Sequence, residues 1–225
     1  MTTAEFPPVL FAACVTPLET PRLYDAACAA VSPARRQKAE RFRFPKDRRL
    51  CLGAELLLRY VLRVHGAEFP NEFVYGPQGK PQLPDDSLQF SLSHSGDWVI
   101  CAAGSCAVGC DIEKIAPVDL RVADRFFSPD EAADIAAQPT PEAQAELFYR
   151  YWVLKESFIK ATGLGMNLPL NAFRIELGED IRVRQSVDQR KYSFAEFSDV
   201  FGYCCAMCFT GEQPKAVLQV IDLCL

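Results

Sequence analysis

Within Val108-Gly109-Cys110-Asp111-Ile112-Glu113, two carboxylates stand two residues apart. An extended chain alternates its side chains between two faces, so Asp111 and Glu113 project together while Cys110 and Ile112 point into the core. Neighbouring carboxylates repel unless a cation lies between them. Mg²⁺ takes oxygen ligands and is commonly held by one or two carboxylates with water and substrate phosphate, which suits this pair; a polar strand end in water is the simpler alternative. Trp152-Val153-Leu154-Lys155-Glu156-Ser157-Phe158-Ile159-Lys160 carries a second set. At helical spacing Trp152, Glu156 and Lys160 share one face, with Lys155 and Ile159 beside it. Taken alone, Glu156 and Lys160 make a helix ion pair of about 0.3–0.5 kcal/mol.

A third set lies in Phe90-Ser91-Leu92-Ser93-His94-Ser95-Gly96. Alternation buries Phe90 and Leu92 and leaves the serine-rich end at a turn, where hydroxyls, the His94 ring and turn amides could donate to a phosphate. A serine hydrolase is the competing reading, but its G-x-S-x-G elbow is absent here. The other histidine is His65, in a predicted helix. Gly76-Pro77-Gln78-Gly79-Lys80-Pro81 reads as a rigid turn and no more.

The chain has 225 residues, 49% hydrophobic, and a net charge of −5. That charge argues against general nucleic-acid binding, yet its distribution is uneven. Residues 32–49 are net +6, through Arg35, Arg36, Lys38, Arg41, Arg43, Lys46, Arg48 and Arg49, and the remainder is −11. A dense basic patch on an acidic protein suits a compact polyanion, or else is a solvated helix face. No apolar run is long enough to span a bilayer, and the N-terminal residues lack the pattern of a secretory signal, so a cytoplasmic protein is expected. Ten cysteines include one CxxC, Cys205 and Cys208, without a second pair, so most are read as small core hydrophobes.

The elements that must position these residues follow from caps and periodicity. Ser32-Pro33 opens a helix to about Phe44, where Pro45 stops it. A second helix begins near Lys46, with Leu50, Ala54, Leu57, Leu58, Val61 and Leu62 at helical spacing, and ends at Gly66. Ser128 with Glu131 forms a capping box. Thr140-Pro141 opens a long helix to about Thr162, with Gly163 as its stop. Strands are predicted over Phe73–Tyr75, Gln89–Ser93, Trp98–Ala103, Ala107–Glu113, Phe173–Leu177, Ile181–Arg184, Tyr192–Phe197, Tyr203–Phe209 and Ala216–Leu223. Each half thus holds a long helix and several short strands, which suggests two α+β lobes. The division is placed at 1–105 and 106–225.

In order and spacing the four motifs resemble those of the Sfp-type phosphopantetheinyl transferases: Gly79-Lys80-Pro81, Phe90 to Ser95, Val108 to Glu113, and Trp152-x-x-Lys155-Glu156-Ser157-Phe158-x-Lys160-x-x-Gly163. The resemblance extends over Ser32–Leu58 and Phe126–Glu131 and is slight over residues 1–31 and 171–225. It implies a pseudo-twofold monomer of two similar lobes, each a long helix on a small, mostly antiparallel sheet, with coenzyme A between them. Asp111, Glu113 and Glu156 would hold Mg²⁺, or Mn²⁺ in its place. Arg35, Lys38 and Arg49 would hold the 3′-phosphate with His94 beside them, although a one-residue gap leaves Arg48 and Arg49 as alternatives. Lys80 and Pro81 would contact adenine largely through backbone. Ser93 and Lys160 would reach the pyrophosphate, with Lys155 assisting on the metal side.

The reaction implied is transfer of phosphopantetheine from coenzyme A to a serine of an apo carrier protein (acyl, polyketide or peptidyl), releasing adenosine 3′,5′-bisphosphate. Glu131 occupies the position proposed as base in that family, with Glu156 or a metal-bound water as rivals. Ala116–Phe127 is the expected carrier surface. The alternatives are a non-catalytic coenzyme A or carrier-binding module, a nucleic-acid-binding protein, and a hydrolase removing phosphopantetheine.

Overall fold

The computed structural model describes residues 6–212 and 216–223. In chain order the elements are β1 (Val9–Cys14), α1 (Pro21–Ala30), α2 (Pro33–Glu40), α3 (Pro45–Val64), β2 (Val74–Tyr75), β3 (Pro81–Gln82), β4 (Gln89–Ser95), β5 (Trp98–Gly104) and β6 (Val108–Lys114). They continue with α4 (Arg121–Phe126), α5 (Pro129–Ala136), α6 (Pro141–Thr162), β7 (Arg174–Glu176), β8 (Arg182–Arg184), β9 (Tyr192–Glu196), β10 (Tyr203–Thr210) and β11 (Val217–Val220). One sheet has the order β11-β1-β5-β4 and a second β6-β10-β9. The protein is α+β, a four-layer stack in which α3 covers the first sheet, the sheets face each other, and α6 covers the second.

Strand alternation builds this stack. From β1, Phe11 and Ala13 pack toward α3, whereas Leu10 and Ala12 meet the second sheet. From β5, Val99 and Cys101 face α3 while Ile100 and Ala102 face inward. Val108, Cys110 and Ile112 of β6 lie in the same inter-sheet core, so Gly109, Asp111 and Glu113 are left on the α6 side. The alternation of β10 separates the CxxC: Cys205 lies in the inter-sheet core and Cys208 among the α6-side residues. Thiols on opposite faces do not share one ion. The described cysteines are free, and Cys224 lies outside the described residues.

The helices follow their caps. Ser32 accepts from the Arg35 amide, and Ser128 and Glu131 form the reciprocal capping box. Gly163 ends α6 in the left-handed region at φ 75°, where a side chain would be strained. Helix α2 stops at Glu40 rather than near Phe44. Pro45 holds Phe44 extended, and Arg48 Nε donates to the Phe42 carbonyl at 2.9 Å, fixing a tight link into α3. The serine-rich run stays in β4 through Ser95, so His94 belongs to a strand and the turn lies at Gly96 and Asp97.

Strand β1 and helix α1 were not anticipated, nor were the short β3 and α4. Strand β1 reads Val-Leu-Phe-Ala-Ala-Cys and is covered on both faces, so it shows no alternation. It recruits β11 as a parallel neighbour, with Val9 opposite Val217. Residues 217–220 therefore belong to the first sheet, and the 106–225 division does not describe this strand: the chain end returns to the lobe where it began.

Helix α6 crosses β6 at Gly109. A Cβ there would lie 2.0 Å from the Ser157 carbonyl oxygen and 2.4 Å from the Ala161 nitrogen, both backbone atoms. Gly109→Ala should therefore force helix and strand apart and cost about 2–3 kcal/mol, in the range of core overpacking. Urea unfolding measures this, and a loss within about 0.5 kcal/mol, the scale of an inert surface change, would show that the crossing tolerates a methyl.

Candidate active site

The site lies where the edge strands β4 and β6 run side by side. They are linked through serines. Ser91, Ser93 and Ser95 share one face of β4 by the period of two. The Cys110 amide donates to Ser91 Oγ at 3.2 Å, Ser93 Oγ donates to Asp111 Oδ1 at 2.6 Å, and Ser95 Oγ donates to Glu113 Oε2 at 2.7 Å. The Lys114 amide closes the series by donating to Ser95 Oγ at 3.1 Å. The sequence singled out Ser93 and offered Ser95, on the other side of His94, as a possible phosphate donor; Ser91 was not foreseen, and the common spacing was its signal.

Lys160 enters from α6. Its ammonium lies 2.6 Å from Asp111 Oδ1 and also donates to Ser93 Oγ at 3.0 Å and the Cys110 carbonyl at 3.1 Å. Glu156, one turn earlier, lines a cavity of about 740 Å³ with Lys160. The cavity walls are apolar: Phe90, Leu92, Phe126, Trp152, Ile159, Met166 and Leu168, with Arg125 at the edge. Trp152, Glu156 and Lys160 thus share one face, as their spacing predicts. The apolar wall from 164–170 carried no recognisable signal.

The electrostatics tie the three carboxylates together. Burial raises the Glu156 carboxyl, and Asp111 and Glu113 raise it further against the opposing pull of Lys160. Burial likewise raises Glu113, with Asp111 adding to it and the Ser95 hydrogen bond opposing. For Lys160 burial disfavours the ammonium, but Asp111 and its other neighbours outweigh burial and hold it above the ordinary lysine value. One lysine thus serves a cluster of three acids.

Among the described residues, no three His, Cys, Asp or Glu side chains are gathered closely enough to hold a metal ion by themselves. The donor chemistry nevertheless fits a hard divalent cation. Asp111 Oδ2 is buried without a partner, and the carboxylates around it are held at raised proton affinity by burial first and by their neighbours' charge second. An ion that takes part of its coordination from phosphate and water needs no complete protein cage.

Other predicted residues lie differently. Lys155 is fully buried, 2.9 Å from Glu131 Oε1, and donates to the carbonyls of Leu170 and Phe173 at 2.9 and 2.7 Å. Glu131 is 0% exposed; it accepts from Ser128 N and from Ile175 N. Neither lines the cavity, and each is taken up by the other and by backbone groups. Together they pin the segment that forms the 168–171 wall, because a buried charge must be paired.

Arg35 and Lys38 line a separate groove with Tyr75 and Phe73. Arg35 Nε donates at 3.2 Å to Glu55, a buried carboxylate that also binds Ser32 and Arg59. Arg49 bonds Glu19 at 2.8 Å, and its Nε is buried without a partner. Arg48 donates through Nε to the Phe42 carbonyl, so both arginines keep guanidinium donors free for an anion. Burial, and then the Lys160 charge, lower the His94 imidazole below its ordinary value. Lys80 and Pro81 both line the cavity, and the Lys80 ammonium is held by two backbone carbonyls.

Residues 107–208 match the profile of the 4′-phosphopantetheinyl transferase superfamily, and residues 18–106 match that of the 4′-phosphopantetheinyl transferase N-terminal region. The 4′-phosphopantetheinyl transferase Sfp of Bacillus subtilis strain 168 is 40% identical over 156 residues, covering 68% of this chain and 69% of that protein. The 4′-phosphopantetheinyl transferase psf-1 of Bacillus pumilus is 44% identical over 155 residues, 67% of this chain and 65% of its own. The gsp protein of Aneurinibacillus migulanus, also a 4′-phosphopantetheinyl transferase, is 34% identical over 203 residues, 86% of this chain and 84% of its own.

The buried pair makes a prediction. Lys155→Met or Glu131→Gln alone strands a charge and should cost about 3–5 kcal/mol, whereas the double variant should recover much of that. Chemical denaturation reads both. Full stability in either single variant with loss of catalysis would support the catalytic reading.

Proposed function

The chain belongs to the 4′-phosphopantetheinyl transferase family, and we propose that it transfers phosphopantetheine from coenzyme A to a carrier-protein serine in the cleft between β4, β6 and α6. The observation that carries the site assignment is that Lys160 pairs with Asp111 and lines an apolar cavity together with Glu156, whose carboxyl feels the charge of both Asp111 and Glu113.

The serine oxygen attacks the phosphorus bearing the pantetheine arm, and adenosine 3′,5′-bisphosphate leaves. Such transfers are catalysed by positioning and charge stabilisation. Asp111, Glu113 and Glu156 would hold Mg²⁺ or Mn²⁺, which supplies neutralisation of pyrophosphate charge when bound. Lys160, already aimed into the site, balances charge on the leaving bisphosphate, and Ser93 holds Lys160. Glu156 is the carboxylate that reaches the cavity, and its raised proton affinity suits it to accept the serine proton. The apolar walls exclude water and accommodate an uncharged arm.

Arg35 and Lys38, with Arg49 and His94, are the proposed 3′-phosphate contacts. The orphaned Arg49 Nε supports this, since an anion would satisfy it. The backbone of Lys80 and Pro81 is assigned to adenine. Carrier docking falls to Ala116–Phe127, where Arg125 and Phe126 reach the cavity and Phe126 packs edge-on against Trp152. No helix among the described residues is long and apolar enough to cross a membrane. A reducing, cytoplasmic compartment accords with the free thiols of the described cysteines, and the monomer that the resemblance implies is kept as part of the proposal.

Incubation with an apo carrier protein, coenzyme A and Mg²⁺ tests the reaction through intact carrier mass. A gain equal to the phosphopantetheine arm is expected; an unchanged mass leaves a binding module, and loss from a holo carrier a hydrolase. Lys38→Ala should raise the apparent KM for coenzyme A far more than for dephospho-coenzyme A, and equal effects would remove it from the 3′-phosphate. Glu156→Gln should abolish transfer in a folded protein. Because the folded state raises the Glu156 carboxyl, its contribution to stability is complete below the unfolded value and is lost as pH rises through the raised one. Near neutral pH without metal, the variant should melt at or above wild type and lose the Mg²⁺-induced rise in Tm. A variant that melts well below wild type, or keeps that rise, contradicts the assignment.

A further inference from the structure

Lys80 reaches out of the hairpin between β2 and β3 and across into the second lobe. Its ammonium donates to the Val108 carbonyl and to the Lys160 carbonyl, each at 2.8 Å. These belong to the strand that carries Asp111 and Glu113 and to the helix that carries Glu156 and Lys160. They also flank the tightest contact in the site: Gly109 follows Val108, and a Cβ on it would lie 2.9 Å from the Lys160 carbonyl carbon.

The arrangement has a local logic. Helix α6 ends at Thr162; the Gly163 amide returns to Ile159, and the Leu164 amide to the Thr162 hydroxyl. The Lys160 carbonyl is among the last four of the helix, which have no partner within it, and a cation there also complements the helix dipole. In exchange the lysine is largely withdrawn from water without a carboxylate partner, and burial lowers its ammonium to about 8. Anchoring a two-residue hairpin does not require a buried charge. A neutral apolar side chain would fill the space at lower cost, but it could not hold two carbonyls.

We propose that Lys80 is a positioning residue for phosphopantetheinyl transfer: from the first lobe it clamps the carbonyl of Lys160 to that of Val108, and so sets the spacing between the lysine and acid on α6 and the two acids on β6. This rests on the transferase reading above. The turn carrying Lys80 also contributes Gln78, Gly79 and Pro81 to the cavity wall, so the same side chain links that wall to the catalytic helix. Lys80 acts through Lys160 and touches no reacting atom.

The test is a double-mutant cycle on carrier modification, with Lys80→Met, Lys160→Met and the pair, each verified as folded by thermal melting. Lys80→Met is expected to lower kcat by at least about tenfold, which a loosened nucleotide contact, visible in KM, would not do. In the Lys160→Met background the further loss from Lys80→Met should shrink to less than about threefold, because the group being positioned is gone. Equal losses in both backgrounds, or a raised KM for coenzyme A at unchanged kcat, would overturn the proposal while leaving the transferase reading intact. An inactive wild type would remove both. If Lys80→Met does not fold, Lys80→Arg, which keeps N–H donors but changes their reach, is run through the same cycle against the same outcomes.

Discussion

Helix α6 lies so close to β6 that Gly109 has no space for a Cβ, its nearest neighbours being backbone atoms of Ser157, Ala161 and Lys160. That contact places Lys160 within 2.6 Å of Asp111 and brings Glu156 into the field of both strand carboxylates. A strand presents alternate residues to one side and a helix presents residues four apart. Pressed together without an intervening side-chain layer, the two periods gather acids and a lysine that lie 43 to 49 residues apart in the chain. The serine series on β4 then supports the cluster from the opposite lobe.

The buried charges of this protein fall into two kinds, distinguished by how completely they are satisfied. Glu55 binds Ser32, Arg35 and Arg59, and Glu131 binds Lys155 and two backbone amides. Both are closed arrangements that fix helix starts and loops. Asp111 instead retains an unpartnered buried oxygen, and Glu113 and Glu156 carry raised proton affinities. Closed networks stabilise a fold, whereas an excess of like charge held open at a cavity is a place for chemistry. Glu131 and Lys155 belong to the first kind despite lying within the same motifs.

The four-layer stack explains why the site sits between lobes. The two sheets face each other through Leu10, Ile100, Val108, Cys110, Ile112 and Met207, and their edge strands β4 and β6 meet along one side. Those edges are joined through the β4 serines, two of which donate to Asp111 and Glu113 on the side that faces α6. Strand β11 pairs with β1 at the far edge of the first sheet, so the chain end strengthens the lobe that does not carry the acids.

Local signals in the sequence determined a great deal. The capping serines, the Thr140-Pro141 start, the Gly163 stop and the period-two pairing of Asp111 with Glu113 act over a few residues, and each appears in the structure. So does the shared face of Trp152, Glu156 and Lys160. Strand β1 was not legible because burial on both faces erases alternation. The inward turn of Lys80 and the burial of Lys155 against Glu131 were decided only by tertiary structure. A lysine has a long, flexible stem, so its position in the chain says where it starts and not where its charge ends; the surrounding carbonyls and carboxylates choose that, and packing alone brings them together.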